Sequence, residues 1–202
     1  MTRFVIDRMS LENEVKLCKY LLEKYADIIN EREKRTIGEI KALVDGSDLT
    51  VQSFVEDFKS PDYSFSEDYE GALKQVFDFA KLEIVFADVD LNINYWLTPR
   101  ELLEVKVADD EDLAVFMCAS MKALGDNTAE VIIAELENLK THAFVLTEIG
   151  KDTLLLDPAQ NHLFEEYKGN KVELIKKYSF QKHKIKRFLY RFNSDKYEQF
   201  LE

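Results

Sequence analysis

The densest chemistry in the sequence is a run of four carboxylates, Asp109-Asp110-Glu111-Asp112, set directly before an apolar stretch. Acids there occupy the cap and first turn of a helix and favour the positive end of its dipole, by about 0.3–1 kcal/mol each at an exposed site. The opposite charge gathers further on. Residues 168–191 hold seven Lys (168, 171, 176, 177, 182, 184, 186) and two Arg (187, 191) against one acid, Glu173. That is +8 within a chain of net charge −12, which leaves −20 for everything else. Such a segment suits phosphate or an acidic partner. The plainer reading is a solvated strand face that complements acidic neighbours in the same protein. The two cysteines, Cys18 and Cys118, sit in apolar patterns and read as small buried hydrophobes, not reactive thiols. His162 and His183 have no partner pattern.

These groups need elements to position them. From Leu11 to Arg35 apolar residues recur at a 3/4 spacing through Val15, Cys18, Leu22, Tyr25 and Ile29. This predicts a helix with one stripe facing a core, Ser10 as its N-cap and Glu14 near the capping-box position. Asp48 caps a short helix through Phe58, and a longer helix runs from about Ser66 to Ala87. Ala114–Leu124 carries one charge, Lys122, so that helix is covered on most sides, and Gly125 stops it. The period then changes to two. Strands are expected at Ala129–Glu135, Thr141–Glu148, Thr153–Leu156 and Ile185–Phe192, with a hairpin turn at Ile149–Asp152. Helices first, then a buried helix, then antiparallel strands make an α+β pattern.

Composition sets the outer limits. With 202 residues, 46% apolar and 33% charged, the chain suits one globular domain, with or without an extension. Two cysteines are too few for a disulfide scaffold, and the acidic balance argues against a nucleic-acid partner. No stretch approaches the ~20 apolar residues of a membrane span. The first residues lack a signal-peptide core. A cytoplasmic protein with reduced thiols and no cofactor is expected.

Several short motifs follow one another in a telling order: Tyr95-Trp96-Leu97-Thr98-Pro99 with Glu101; Ala108-Asp109-Asp110-Glu111-Asp112 opening a helix that ends Ala123-Leu124-Gly125; Thr141-His142-Ala143-Phe144-Val145; and Leu155-Leu156-Asp157-Pro158. Together they resemble the transglutaminase-like superfamily, in particular the prokaryotic transglutaminase-like cysteine peptidases. The resemblance covers about Tyr95 to Pro158. It implies a papain/transglutaminase-like core at 91–202, with a buried central helix on an antiparallel sheet, and an N-terminal helical layer at 1–90 packed on it. It also implies a cleft with Trp96 and Asp109 on its walls.

Aligned residue by residue, Asp110 stands at the position of the family's nucleophilic Cys, and Ala108 replaces the Gly before it. His142 and Asp157 match the family's His and Asp. A Cys at a helix N-terminus beside a histidine becomes a thiolate that the His serves and the Asp orients. A carboxylate at that point is a far weaker nucleophile toward an amide. Cys118 lies eight residues along the helix, ~12 Å away. The leading expectation is therefore a domain without cysteine chemistry, binding a peptide or protein through the remnant cleft. A second is a hydrolase of altered chemistry using Asp110, His142 and Asp157, which also form a conceivable ligand set for a divalent metal. A third is a structural or assembly role.

Overall fold

The structure is a computed structural model and describes residues 2–88 and 93–201; within the first helix it describes the side chains of residue 13 and of residue 15 onward. The chain groups into two compact units, Met1–Arg35 with Val89–Trp96, and Thr36–Asp88 with Leu97–Glu202. This grouping differs from a division at residue 90, because the helices between 36 and 88 go with the sheet.

The first unit is built on α1, Thr2–Arg32. Since the helix starts at Thr2, Ser10 lies inside it and is not its cap; the side chains of Ser10 and Glu14 fall outside the described residues. Within this unit the described residues leave most of the stripe expected to face a core uncovered. Val15, Leu22, Tyr25 and Ile28 are 38–58% exposed, and Cys18 is exposed rather than buried. Amphipathic spacing reports that a face can be covered, not that this chain covers it. Asn30 Oδ1 accepts from the Asn94 N–H at 2.7 Å, and Arg35 Nη2 donates to the Trp96 carbonyl at 2.9 Å, so residues 94–96 run along one flank of the helix end.

The second unit runs through α2 (Ile37–Ala42), α3 (Leu49–Glu56), α4 (Phe65–Glu83), β1 (Val85–Phe86), α5 (Pro99–Val105), β2 (Val107–Ala108) and α6 (Asp110–Ala123). Then come β3 (Glu130–Leu136), β4 (Thr141–Ile149), β5 (Asp152–Leu156), β6 (Lys168–Gly169), α7 (Lys171–Lys177), β7 (Ser179–Phe180), β8 (His183–Phe192) and β9 (Tyr197–Gln199). The main sheet has the order β6-β5-β4-β3-β8-β7, with β9 on β8, and all its pairs are antiparallel. The expected α+β architecture is what forms.

Helix α6 is the pivot of this unit. Val115, Phe116, Met117, Cys118, Ala119 and Met121 have no exposed surface. Phe116 meets Phe54 of α3 at 5.0 Å between centroids, and Phe54 meets Phe79 of α4 at 4.9 Å. Truncating a buried Phe of this kind costs about 3–5 kcal/mol. Gly46 lets the loop before α3 touch the end of α6; a Cβ there would come within 2.6 Å of the Lys122 carbonyl carbon. Gly125, at φ +102, supplies the left-handed stop expected after the helix. The opposite face of the sheet buries Ile132, Ala134, Phe144, Leu146 and Leu155 against Leu174 and Tyr178.

A buried carboxylate ties helix to sheet. Asp126, 1% exposed, accepts from the Tyr69 hydroxyl of α4, from Thr147 Oγ1 of β4 at 2.5 Å, and from the N–H groups of Thr128 and Ala129 at 2.7 and 3.2 Å. Much of the basic segment is answered within the same protein. Lys168 pairs with Glu70, Lys186 and Arg187 with Glu135, and Arg191 with Glu130 and Glu198. No helix among the described residues is long and apolar enough to cross a membrane.

Candidate functional site

The N-terminus of α6 meets β4 and the end of β5. Asp109 is the N-cap: its carboxylate accepts from the Asp112 N–H at 3.0 Å, and Asp112 returns a weak bond to the Asp109 N–H at 3.4 Å. The reciprocal capping box fixes the start of the helix. Asp112 also accepts from the Leu97 N–H at 2.6 Å, which ties the segment before α5 to the same turn. Asp110 is thereby turned toward β4, where its Oδ2 accepts from the Ala143 N–H at 2.7 Å.

His142 lies between two carboxylates and is 1% exposed. Its Nδ1 is 2.7 Å from Asp110 Oδ2, and its Nε2 is 3.0 Å from Asp157 Oδ2. The Nδ1 contact is a close ion pair whose N–H is poorly aligned with the oxygen; the Nε2 contact has hydrogen-bond geometry. Asp157 is held in turn by the Tyr178 hydroxyl at 2.6 Å, Gln160 Nε2 at 2.7 Å and the Ala159 N–H at 3.1 Å.

Electrostatics set the protonation of this row. Burial alone would lower the His142 pKa, but the charges and bonds of Asp157 and Asp110 reverse it and push it up to about 9. Burial would likewise raise the Asp110 carboxyl; the His142 imidazolium and the Ala143 N–H overcome that and hold it low. The ring is therefore a cation at neutral pH, with a proton on each nitrogen. Glu111 has no such partner. Burial, then the charges of Asp110 and Asp109, push its carboxyl up to about 9. Asp112 rises to about 7 through burial and Asp109, against the bonds from the Leu97 and Asp109 N–H groups.

A hairpin covers the histidine. Phe180 of β7 stacks on the His142 ring at 3.7 Å between centroids and 15° between planes. Phe86 meets the edge of Phe180 at 6.2 Å, and Gln181 Nε2 donates to Asp88 Oδ2 at 2.9 Å. An aromatic face over a cationic ring is attractive in itself.

Of the residues singled out in the sequence, Asp109, Asp110, His142 and Asp157 stand together here. Trp96 belongs to the first unit, where its indole N–H donates to Asn94 Oδ1 at 3.1 Å. His162 lies apart from the row, its Nδ1 2.9 Å from the Leu163 carbonyl oxygen. Asp110, His142 and Asp157 do not surround a common point, because the imidazole separates the two acids. Among the described residues, the group that could hold a cation is instead Asp109, Asp110 and Glu111, each offering an oxygen within 4.8 Å of the others. Sequence reasoning passed over Tyr178, Gln160 and Phe180. Tyr178 and Phe180 lie in the basic segment, far from His142 along the chain, and only the fold brings them to the histidine. Cys118 is fully buried, and burial together with Asp126 drives its thiol well above the usual range.

No model of a protein family matches the sequence, and no curated protein matches it. Solved structures do. Legionella pneumophila LapG in a calcium-bound form is 15% identical, with a TM-score of 0.52 over 74% of this chain and 76% of that one. An EGTA-treated form of LapG is 14% identical, with a TM-score of 0.51 over 91% of this chain and 86% of that one. A third LapG structure gives 0.52 over 90% and 87%. At this identity the likeness speaks to the fold alone: the chain has a papain/transglutaminase-like fold, in agreement with the order of its motifs.

Proposed function

We propose that the chain is a non-catalytic transglutaminase-like domain that binds a protein or peptide segment at the acidic mouth around the α6 N-terminus. The observation that carries this reading is the state of His142. A general base needs a free lone pair at working pH; both ring nitrogens of His142 face carboxylates, whose charges raise its pKa and favour the doubly protonated ring. At the helix N-terminus, where the related enzymes are expected to place a thiolate, Asp110 supplies a permanent counter-charge that is already engaged by the Ala143 N–H. The same point weighs against hydrolysis by altered chemistry, since Asp110 has no neutral histidine to work with.

The mouth also has the character of a divalent-cation site, and LapG is described in a calcium-bound form. Asp109, Asp110 and Glu111 are hard oxygen donors of the kind Ca²⁺ takes. Their fit is geometric: each offers an oxygen within 4.8 Å of the others, close enough to share one ion. When bound, the ion would supply charge neutralisation at the mouth, held by Asp109, Asp110 and Glu111.

The test is direct. Full-length protein should release no fluorescence above buffer from dye-quenched casein, with Ca²⁺ or with EGTA. Hydrolysis that disappears in Asp110→Asn would overturn the reading. A displayed library of twelve-residue peptides should yield basic sequences whose retention falls at least tenfold on Asp110→Asn, which removes the carboxylate held charged at this mouth. A library that yields no peptide bound by the native protein refutes the binding half.

A further inference from the structure

A second hollow shares no residue with the α6 mouth. One face of α4 and the loop after β5 enclose a cleft of about 750 Å³, and every residue that lines it belongs to the second unit. A volume of this order suits a small molecule. His162 is the one buried polar side chain in the lining, at 5% exposure. Its ring is pinned by Phe77 and Tyr167, at 5.3 and 5.2 Å between centroids, and by Nδ1, 2.9 Å from the Leu163 carbonyl oxygen. A carbonyl only accepts, so Nδ1 carries the proton and the neutral ring keeps a lone pair on Nε2. That atom is buried and has no hydrogen-bond partner among the described residues. A buried acceptor left unpaired is costly, and the cleft is the unfilled space beside this ring.

The helix side of the cleft carries an independent sign of an occupant. Gly71 lies in the interior of α4 and lines the cleft. Glycine weakens a helix interior, and packing within the chain does not call for it here: an added Cβ would meet nothing outside its own helix within 4 Å. The missing side chain leaves the helix backbone open to whatever enters. Charge then narrows the chemistry, because the ions around the cleft are answered within the chain. Lys74 pairs with Asp78 at 2.5 Å, and Lys168 pairs with Glu70 and, at 3.8 Å, with Glu165. Lys81 donates to the His162 carbonyl at 2.6 Å, and Glu166 accepts from the Leu163 N–H at 3.2 Å. A charged ligand would have to break one of these pairs. Leu163, 76% exposed, and the buried Phe164 supply an apolar wall.

We infer that the cleft between α4 and the 162–166 loop is a binding site for a small uncharged molecule that joins an aromatic or aliphatic body to an N–H or O–H donor. The donor pairs with Nε2 of His162, the body packs on Leu163 and Phe164, and its edge rests against the helix backbone at Gly71. The inference is independent of what the α6 mouth binds.

Indole is a probe of this class, with one N–H donor on an apolar body. Amide ¹H–¹⁵N shifts of the full chain, titrated to about 10 mM indole at pH 7.5, should move at Gly71 and at 162–164 and reach half-saturation near about 1 mM. The related 1-methylindole lacks the donor and should bind at least fivefold more weakly. Indole-3-acetate keeps the donor but adds a charge, and should bind no more tightly than indole. Gly71→Leu puts a side chain into the cleft while improving the helix, so it should weaken indole at least tenfold with an unchanged circular dichroism spectrum. His162→Phe should bind indole and 1-methylindole alike; if that variant does not fold, Gly71→Leu and the ligand series decide. No saturation by indole, equal affinity of the native chain for indole and 1-methylindole, or binding indifferent to Gly71→Leu refutes the inference. So does tighter binding of indole-3-acetate, which would make the site one for anions.

Discussion

Raising the pH should release His142 from its two carboxylates and weaken the fold over a defined window. Free imidazole titrates near 6.5, and in the folded chain the ring is pushed up to about 9. Burial works against the charged ring; Asp157 and Asp110 more than offset it. A folded-state value above the unfolded one means that the stabilisation is fully present below about pH 6.5. It is lost as the pH rises through about 9. The interval from 6.5 to about 9 corresponds to roughly 3 kcal/mol, a sizeable part of a 5–15 kcal/mol margin. Glu111 and Asp112 also titrate high in the folded chain, so their contributions fall in the same direction. Urea unfolding at pH 6.5 and 9.5 should therefore compare the native chain with His142→Gln. The native chain should lose about 3 kcal/mol more than the variant between the two pH values. Ring ¹⁵N shifts should show both nitrogens protonated at pH 7.5. Equal losses in the two proteins, or a neutral ring at pH 7.5, would refute the picture of a locked imidazolium.

Glu111→Gln should stabilise the chain increasingly from pH 4.5 to about 9, by at least about 1 kcal/mol at the upper end, because it removes a carboxylate that burial and two acidic neighbours disfavour; the same urea curves measure it. Asp126→Asn should cost about 2–4 kcal/mol, since the amide replaces an acceptor that faces three hydroxyls and two backbone N–H groups; the shift in the thermal midpoint checks this. Ellman's reagent should titrate one thiol, Cys18, in the native chain and the second, Cys118, only in guanidinium.

The central helix and the strands were legible because local chemistry and tertiary role agree there. The acids at 109–112 cap α6, Gly125 ends it, and the apolar residues from Leu113 to Met121 are all buried. Asp48 was legible as a cap for the same reason, with its Oδ1 accepting from the Thr50 and Val51 N–H groups. The order of short motifs carried the site, since it put Asp110, His142 and Asp157 on elements that converge. Position along the chain said nothing about Tyr178 or Phe180, whose contacts depend on how the turn after β7 folds back. Period alone also misread α1. An apolar stripe states a demand for cover, and its supplier can be a core or another chain, so Cys18 looked buried when it is not.

The covering of the histidine rests on a turn that the backbone dislikes. Gln181 and Lys182, at φ +47 and +74, both sit in left-handed conformations between β7 and β8. Each costs about 1 kcal/mol in a residue with a side chain, and the two-residue turn they make prefers Asn-Gly. The hairpin that presses Phe180 onto His142 is thus held closed with a spring wound slightly the wrong way. Lys182→Gly would relieve part of that cost and steady Phe180 on the ring, while keeping the bond from Gln181 to Asp88.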